Sequence, residues 1–400
     1  MGLRSFPAAM AAAGCLAALL LCGAPAIADQ AWPKIEDDRQ NLPDTSTSAL
    51  FWQGDAQIVG FRNSELLGPT RKIAAGGQVL ALPRAEVDLG DVTFSAEGVT
   101  MTVDEYIREK RVGGLLVVKD GKILYERYGL GNTPETRWVS FSVSKSVVAM
   151  LFGAALQDGY IKSVDEKVTD YLPRLKGSVY DQSSIRNLLQ MASGVAWNED
   201  YADPNSDVAQ ATYETLALYD YLADKPREAK PGEKFNYNTA ETNLAGTLLR
   251  SAIGNNLSTY LSEKIWRPFG MEGDAVWNLT EPGGGEFGGC CINATLRDYA
   301  RLGLFALNDG KLVDGTPMLA PGWMEESTQP SKGFAGYGYF WWLSESGAYE
   351  ASGIFGQGIH MNPEHNVVIA IHSARHQASN DLDWALQDAL YIALTDAVSQ

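Results

Sequence analysis

Apolar positions along this chain follow two different periods, and they change over in a definite order. Residues 114–128 read as two apolar runs broken by Asp120-Gly121, a dipeptide suited to a two-residue hairpin turn. A short capped helix is expected just before them, over 102–111. From Val147 to Leu156 apolar residues occupy most faces of a helical period, which predicts a helix buried nearly all round and stopped at Asp158-Gly159. Between about 163 and 289 the sequence is helical or loop-like, with the clearest helices over 185–191, 214–223 and 240–252. Strand character returns at 337–343, 348–363 and 366–373, ahead of an amphipathic helix over 381–397. Sheet, helices, sheet is the order of events. It predicts an α+β protein in which an antiparallel sheet, flanked by N- and C-terminal helices, is completed by the C-terminal strands around an inserted all-helical lobe.

The expected division is a signal segment over 1–28, an arm with little regular structure over 29–98, an α/β lobe from 99–162 and 295–400, and a helical lobe over 163–294. Arg4 is the only charge in the first segment, an apolar run covers 8–21, and Ala26-Ile27-Ala28 has the form of a secretory cleavage site. A periplasmic or secreted protein starting near Asp29 is expected. Cleavage would remove Cys15 and Cys22 and leave Cys290 and Cys291, neighbours of a kind that rarely bridge, so no disulfide framework is expected. No other apolar run reaches the ~18 residues of a membrane span. The chain has 32 Lys and Arg against 49 Asp and Glu, a formal charge of −17, which argues against nucleic acid and anionic membranes as partners.

Candidate chemistry centres on Ser142-Val-Ser-Lys145, where the buried helix begins. Residues i and i+3 share a helix face, so the lysine amine can reach the serine hydroxyl and, in a dry site, act as its base. The unpaired N–H groups of the first turn favour an oxyanion there. A helix buried this deeply does not carry an unpaired lysine at its start without cause, so Lys145 reads as functional. Tyr237, on a turn after Pro231-Gly232, is a candidate proton relay to a leaving group. The four histidines lie near the C-terminus and no G-x-S-x-G elbow exists, which disfavours a Ser-His-Asp triad. His372 and His376 have i, i+4 spacing but no acidic third ligand, so no metal site is expected. Gly283-Gly284-Gly285 and Gly288-Gly289 read as flexible turn material at a cleft rim, since no strand precedes them to make a phosphate loop. No cofactor is implied.

Five segments in order carry a resemblance: Ser142-Val-Ser-Lys145, Ile185-Arg-Asn-Leu-Leu-Gln-Met-Ala-Ser-Gly194, Phe235-Asn-Tyr237, Ile265-Trp-Arg-Pro-Phe-Gly-Met271 and Ala351-Ser-Gly-Ile-Phe-Gly-Gln357. They resemble signature segments of the serine β-lactamase and penicillin-binding-protein superfamily, in the class C-like branch with 6-aminohexanoate-dimer hydrolases and related esterases. The resemblance implies a β-lactamase-like fold, a nucleophile at Ser142, a base at Lys145 and a catalytic tyrosine at Tyr237. It implies an oxyanion hole from the N–H groups of Ser142 and Ile354, and substrate contacts at Tyr201, Thr239 and Gly353. The chain departs from the lactamases at the third box, where Ala351-Ser352-Gly353 replaces Lys-Thr-Gly, and at Thr239, where they have Asn. Without that cation, the carboxylate of a penicillin loses its usual anchor; Arg227 and Lys230 are candidate replacements.

The expected function is a serine hydrolase cleaving a small-molecule ester or amide through an acyl-serine. A β-lactamase or DD-peptidase with an altered third box is the first alternative, and a non-catalytic binding or sensor protein the second. Substrate choice is expected to depend on loops over 198–230 and 278–290.

Overall fold

Two apolar runs joined by a tight turn form the centre of the main sheet. Strand β4 (Val112–Lys119) pairs antiparallel with β5 (Lys122–Tyr128), and the turn is made by Asp120 and Gly121, both with positive φ. The C-terminal strands β9 (Trp342–Leu343), β10 (Tyr349–Gly353), β11 (Gln357–Asn362) and β12 (Val367–Ser373) extend it to six strands in the order β5-β4-β12-β11-β10-β9, with every pair antiparallel. Both faces of this sheet are covered. On β4, Leu115 and Val117 face helices α2 (Val103–Glu109) and α6 (Asp381–Ser399), while Leu116 and Val118 face the opposite core, which includes α5 (Leu296–Leu307). This explains why β4 and β12 read as continuous apolar runs rather than alternating ones. A separate antiparallel hairpin of β2 (Thr93–Ala96) and β3 (Val99–Thr102) leads into α2. The Thr102 hydroxyl caps α2 by accepting from the Glu105 N–H, while the Glu105 carboxylate accepts from the Thr102 N–H.

The computed structural model describes residues 38–400, so the expected signal segment over 1–28 and its expected cleavage site lie outside the described residues. The chain is an α+β protein with antiparallel sheets. Helix α3 (Val143–Gln157) is buried from Val143 to Ala155 and packs between the sheet and α4 (Thr239–Ile253). Among the described residues, no helix is long and apolar enough to cross a membrane.

Several elements differ from the sequence expectation. The stretch read as an irregular arm contains helix α1 (Gly54–Arg62) and strand β1 (Thr70–Ile73). The latter pairs with β7 (Ala275–Asn278), inside the stretch read as helical or loop-like, in a small sheet ordered β1-β7-β8-β6 with β8 (Ile292–Thr295) and β6 (Arg137–Val139). Each of these strands has only three or four residues, too few for a period to show, and Thr70 finds its partner at Asn278. Helix α1 holds two glycines, a composition of weak helix propensity, and is fixed instead by burying Gln57, Val59, Gly60 and Phe61. Cys290 and Cys291 are also bonded to each other as a vicinal disulfide, contrary to the expectation that these neighbours stay apart.

Helix α1 has a mechanical role. The Phe61 ring lies 4.8 Å from that of Phe141 and 5.1 Å from that of Phe355, and those two are 5.3 Å apart. Both partners are non-glycine residues at positive φ, 44° and 61°, a conformation that surrounding packing must hold. Phe141 precedes Ser142 and Phe355 follows Ile354. Phe61→Ala is expected to cost ~3–5 kcal/mol in urea unfolding, the usual range for deleting a buried ring. It is also expected to lower turnover at least about tenfold where the variant is still folded, because both donor-bearing turns lose their brace. Wild-type turnover in a folded Phe61→Ala protein would show that the brace does not reach the site.

Candidate active site

The site begins where β6 turns into α3. Ser140 is held to the small sheet by its N–H to Ile292 O at 2.8 Å and by Ile292 N–H to Ser140 Oγ at 2.9 Å. Phe141 makes a left-handed turn, and Ser142 stands at the N-cap of α3 with its side chain free of any capping bond. One turn later, Lys145 is 1% exposed. Its Nζ donates to Ser142 Oγ at 2.9 Å, Thr239 Oγ1 at 3.1 Å and Gly289 O at 2.8 Å, and no carboxylate touches it.

Burial dominates the electrostatics of this amine. Desolvation lowers the Lys145 pKa to about 7 against a smaller raising effect from Glu199. Tyr237, on one side of the same space, has its phenol pKa raised by burial, with a hydrogen bond from Ser142 acting the other way. Lys145 Nζ sits 5.2 Å from the centre of the Tyr237 ring, which stacks on Trp342 at 5.7 Å. The lysine is thus the group poised to exchange a proton near neutrality, with the phenol as a neutral hydroxyl beside it.

The structure brings the sequence-predicted residues to one place. Ser142, Tyr201, Tyr237, Gly353 and Ile354 line a cavity of about 940 Å³, and Thr239 bonds Lys145 just behind it. A Cβ on Gly353 would come within 2.6 Å of Ser140 O and 3.1 Å of the Ser142 nitrogen, so only glycine lets β10 approach the Ser142 backbone this closely. That approach puts the Ile354 turn beside Ser142.

Four expectations are corrected. The Gly288-Gly289 segment is not flexible rim material: a Cβ on Gly288 would meet Thr242 O at 2.6 Å and one on Gly289 would meet Thr239 O at 2.8 Å. These glycines pack against α4 so that the Gly289 carbonyl can reach Lys145, a contact made 144 residues along the chain that periodicity could not show. Ala351 faces the core beside Val147 and Met150, whereas the cavity-facing residues of β10 are Glu350 and Ser352. Arg227 is committed to the carbonyls of Ser193, Ala229 and Val179, Lys230 is exposed, and neither lines the cavity, so neither replaces the missing cation. Finally, the segment 278–290 contributes no cavity wall; Leu50, Phe51 and Gln53 from the N-terminal stretch and Trp384 and Asp388 from α6 do.

Sequence reasoning passed over Glu199, which lines the cavity with Asp200, Glu350 and Asp388. The only sign of Glu199 in the sequence is a carboxylate two residues ahead of Tyr201. Glu350 is pushed up to about 8 by burial and by Asp388 nearby. Among the described residues, no group of three His, Cys, Asp or Glu converges as a metal site. Burial lowers His360 to about 4 and His372 to about 3, so both are neutral at physiological pH.

Comparison with known proteins bears on the family and the fold. A family model described as beta-lactamase matches residues 99–392. A 6-aminohexanoate-dimer hydrolase of Paenarthrobacter ureafaciens is 29% identical over 322 residues, covering 72% of this chain and 81% of the relative. A beta-lactamase of Pseudomonas fluorescens is 27% identical over 184 residues, 44% of this chain and 49% of its own length. Among solved structures, a Bacillus anthracis protein described as a candidate 6-aminohexanoate-dimer hydrolase superposes with a TM-score of 0.79 at 23% identity, over 89% of this chain and 98% of its own. A family VIII carboxylesterase gives 0.56 at 17% identity over 72% of this chain and 95% of its own. Fold, site and relatives together define a serine hydrolase. The chain belongs to the beta-lactamase family.

The buried amine carries a stability signature. A folded pKa of about 7 against an ordinary 10.5 means that the folded state binds fewer protons than the unfolded one between those values. A tenfold difference in proton affinity between the two states corresponds to about 1.4 kcal/mol, so a penalty of several kcal/mol is present in full below pH 7 and is relieved as pH rises toward 10.5. Lys145→Met removes the titration, so the stability of the variant relative to wild type should be greatest near pH 6 and shrink on going to pH 9 in paired urea unfolding curves. A pH-independent difference would mean that the folded lysine titrates normally.

Proposed function

We propose that this chain hydrolyses an ester or linear amide through an acyl-Ser142 intermediate. The observation that carries the reading is the buried Lys145 amine held 2.9 Å from Ser142 Oγ. As a free amine it keeps two N–H groups for Thr239 Oγ1 and Gly289 O and turns its lone pair to the Ser142 hydroxyl. Ser142 Oγ then attacks the carbonyl carbon while its proton passes to Lys145. The N–H groups of Ser142 and Ile354 receive the oxyanion. Tyr237 hands a proton to the leaving alcohol or amine and is reprotonated from Lys145. Water, deprotonated through the same pair, frees the acid product and restores Ser142.

Charge on the cavity wall supports the choice of substrate. Among the described residues that line the cavity, Glu199, Asp200, Glu350 and Asp388 are acidic and none is Lys or Arg; burial holds Glu350 largely neutral near pH 7, and the wall offers no cation to the carboxylate of a penicillin or a peptidoglycan stem. The 6-aminohexanoate-dimer hydrolase relative, whose name gives a linear amide as its substrate, supports the linear-amide part of the reading. A charge-assisted hydrogen bond contributes ~1.5–3 kcal/mol, so its absence costs an anionic substrate one to two decades. A neutral p-nitrophenyl ester should therefore exceed nitrocefin in kcat/KM by at least roughly tenfold. Mass spectrometry after a short incubation should find the acyl group on the peptide carrying Ser142, and Ser142→Ala should abolish turnover with the fold intact. Efficient nitrocefin hydrolysis, or more than about a hundredth of wild-type activity in Ser142→Ala, would contradict the reading.

A further inference from the structure

Glu199 is the end of a hydrogen-bonded chain that starts at the proposed base. Its two carboxylate oxygens face only donors: Tyr201 OH at 2.8 Å and the Thr239 hydroxyl on one, the Thr239 N–H at 3.1 Å and the Trp197 indole N–H on the other. An ionised carboxylate accepts at both oxygens, whereas a glutamine amide would aim an NH2 group at two of these donors. The consequence lies at Thr239. Its hydroxyl has one proton, which goes to Glu199, so toward Lys145 it can only accept, and Lys145 donates to it at 3.1 Å.

We infer that Glu199 is a positioning residue of the hydrolytic reaction, acting on Lys145 through the Thr239 hydroxyl. The inference rests on the reading of Lys145 as the base. With the carboxylate in place, the Thr239 oxygen takes one lysine N–H and the Gly289 carbonyl takes another, which leaves the lone pair of the free amine nowhere to point but Ser142. With a donor in place of Glu199, the Thr239 hydroxyl turns round and offers its proton to Lys145, competing with Ser142 for that lone pair. The negative charge also offsets part of the desolvation that lowers Lys145. Lys145 and the phenols Tyr201, Tyr213, Tyr237 and Tyr337 feel the charge of Glu199, and Asp200, Glu350, His376 and Asp388 line the same cavity; Lys145 is the group joined to Glu199 through Thr239, and on it the loss of that charge is read.

The test is the pH dependence of kcat/KM for a p-nitrophenyl ester in wild type, Glu199→Gln and Glu199→Asp. In Glu199→Gln we expect the rate to fall at least about tenfold, with the acidic limb moving to lower pH by about one pH unit, the size of effect a nearby opposite charge exerts. Glu199→Asp should keep the limb where the wild type has it. Thr239→Val cuts the chain while leaving Glu199, and should lower the limb too, so the question stays decidable if Glu199→Gln does not fold. If Glu199 only anchors its loop, the variants lose rate with an unmoved limb, and that outcome overturns the inference. Acylation of Ser142 in the same samples separates the two levels: an unlabelled Ser142 in the wild type defeats the reading of the base, while a labelled Ser142 with a fixed limb defeats the role of Glu199 alone.

Discussion

The structure depends on one buried amine. Lys145 lies at the start of a helix that is apolar nearly all round, and an unpaired ammonium in such a place is among the costliest features a fold can carry. It is satisfied by three neutral oxygens, one from Ser142 at the start of its own helix and two from distant segments, Thr239 at the start of α4 and the Gly289 carbonyl. Neutral acceptors satisfy its N–H groups without the charge that would fix a proton on it. A carboxylate in direct contact would make a stable ion pair and a poor base. Placing the nearest carboxylate one hydroxyl away, at Glu199, is a compromise between the two.

The rest of the molecule serves this arrangement from several directions. Gly288 and Gly289 give up side chains so that their backbone fits against α4, and Gly353 gives up its side chain so that β10 closes on Ser142. The ring trio of Phe61, Phe141 and Phe355 holds two turns in the left-handed region, next to Ser142 and Ile354. Its third member comes from α1, so the N-terminal stretch is part of the machinery that shapes the site. That stretch and the final helix also build cavity wall, through Phe51 and Trp384 among others.

What is legible in the sequence divides from what is not along a physical line. Local relations are legible: the i, i+3 spacing of Ser142 and Lys145, the Asp120-Gly121 turn, the Thr102 cap and the long apolar helix all follow from residues close in the chain. Tyr237 is marked by the Pro231-Gly232 turn before it, whereas Tyr201 and Ile354 are reachable only through the resemblance of ordered segments, since nothing in their immediate surroundings marks them. Contacts between distant segments are not legible. Gly289 reads as loose turn material because its partner is Lys145, far away in the chain. Ala351 reads as a cavity residue because strand register decides which face a residue takes, and a one-residue change reverses it. The short strands of the small sheet leave no period to read. Cys290 and Cys291 read as unbridged because adjacent cysteines rarely meet.

All of the chemistry rests on Lys145 being a base at neutral pH. Its direct test is an NMR titration of protein labelled at the lysine side chains, with the Lys145 signal assigned by its loss in Lys145→Met. A midpoint near 7 is expected, far below the ordinary lysine value of 10.5. A midpoint close to that ordinary value would leave the amine protonated throughout the working range and would contradict its role as the base.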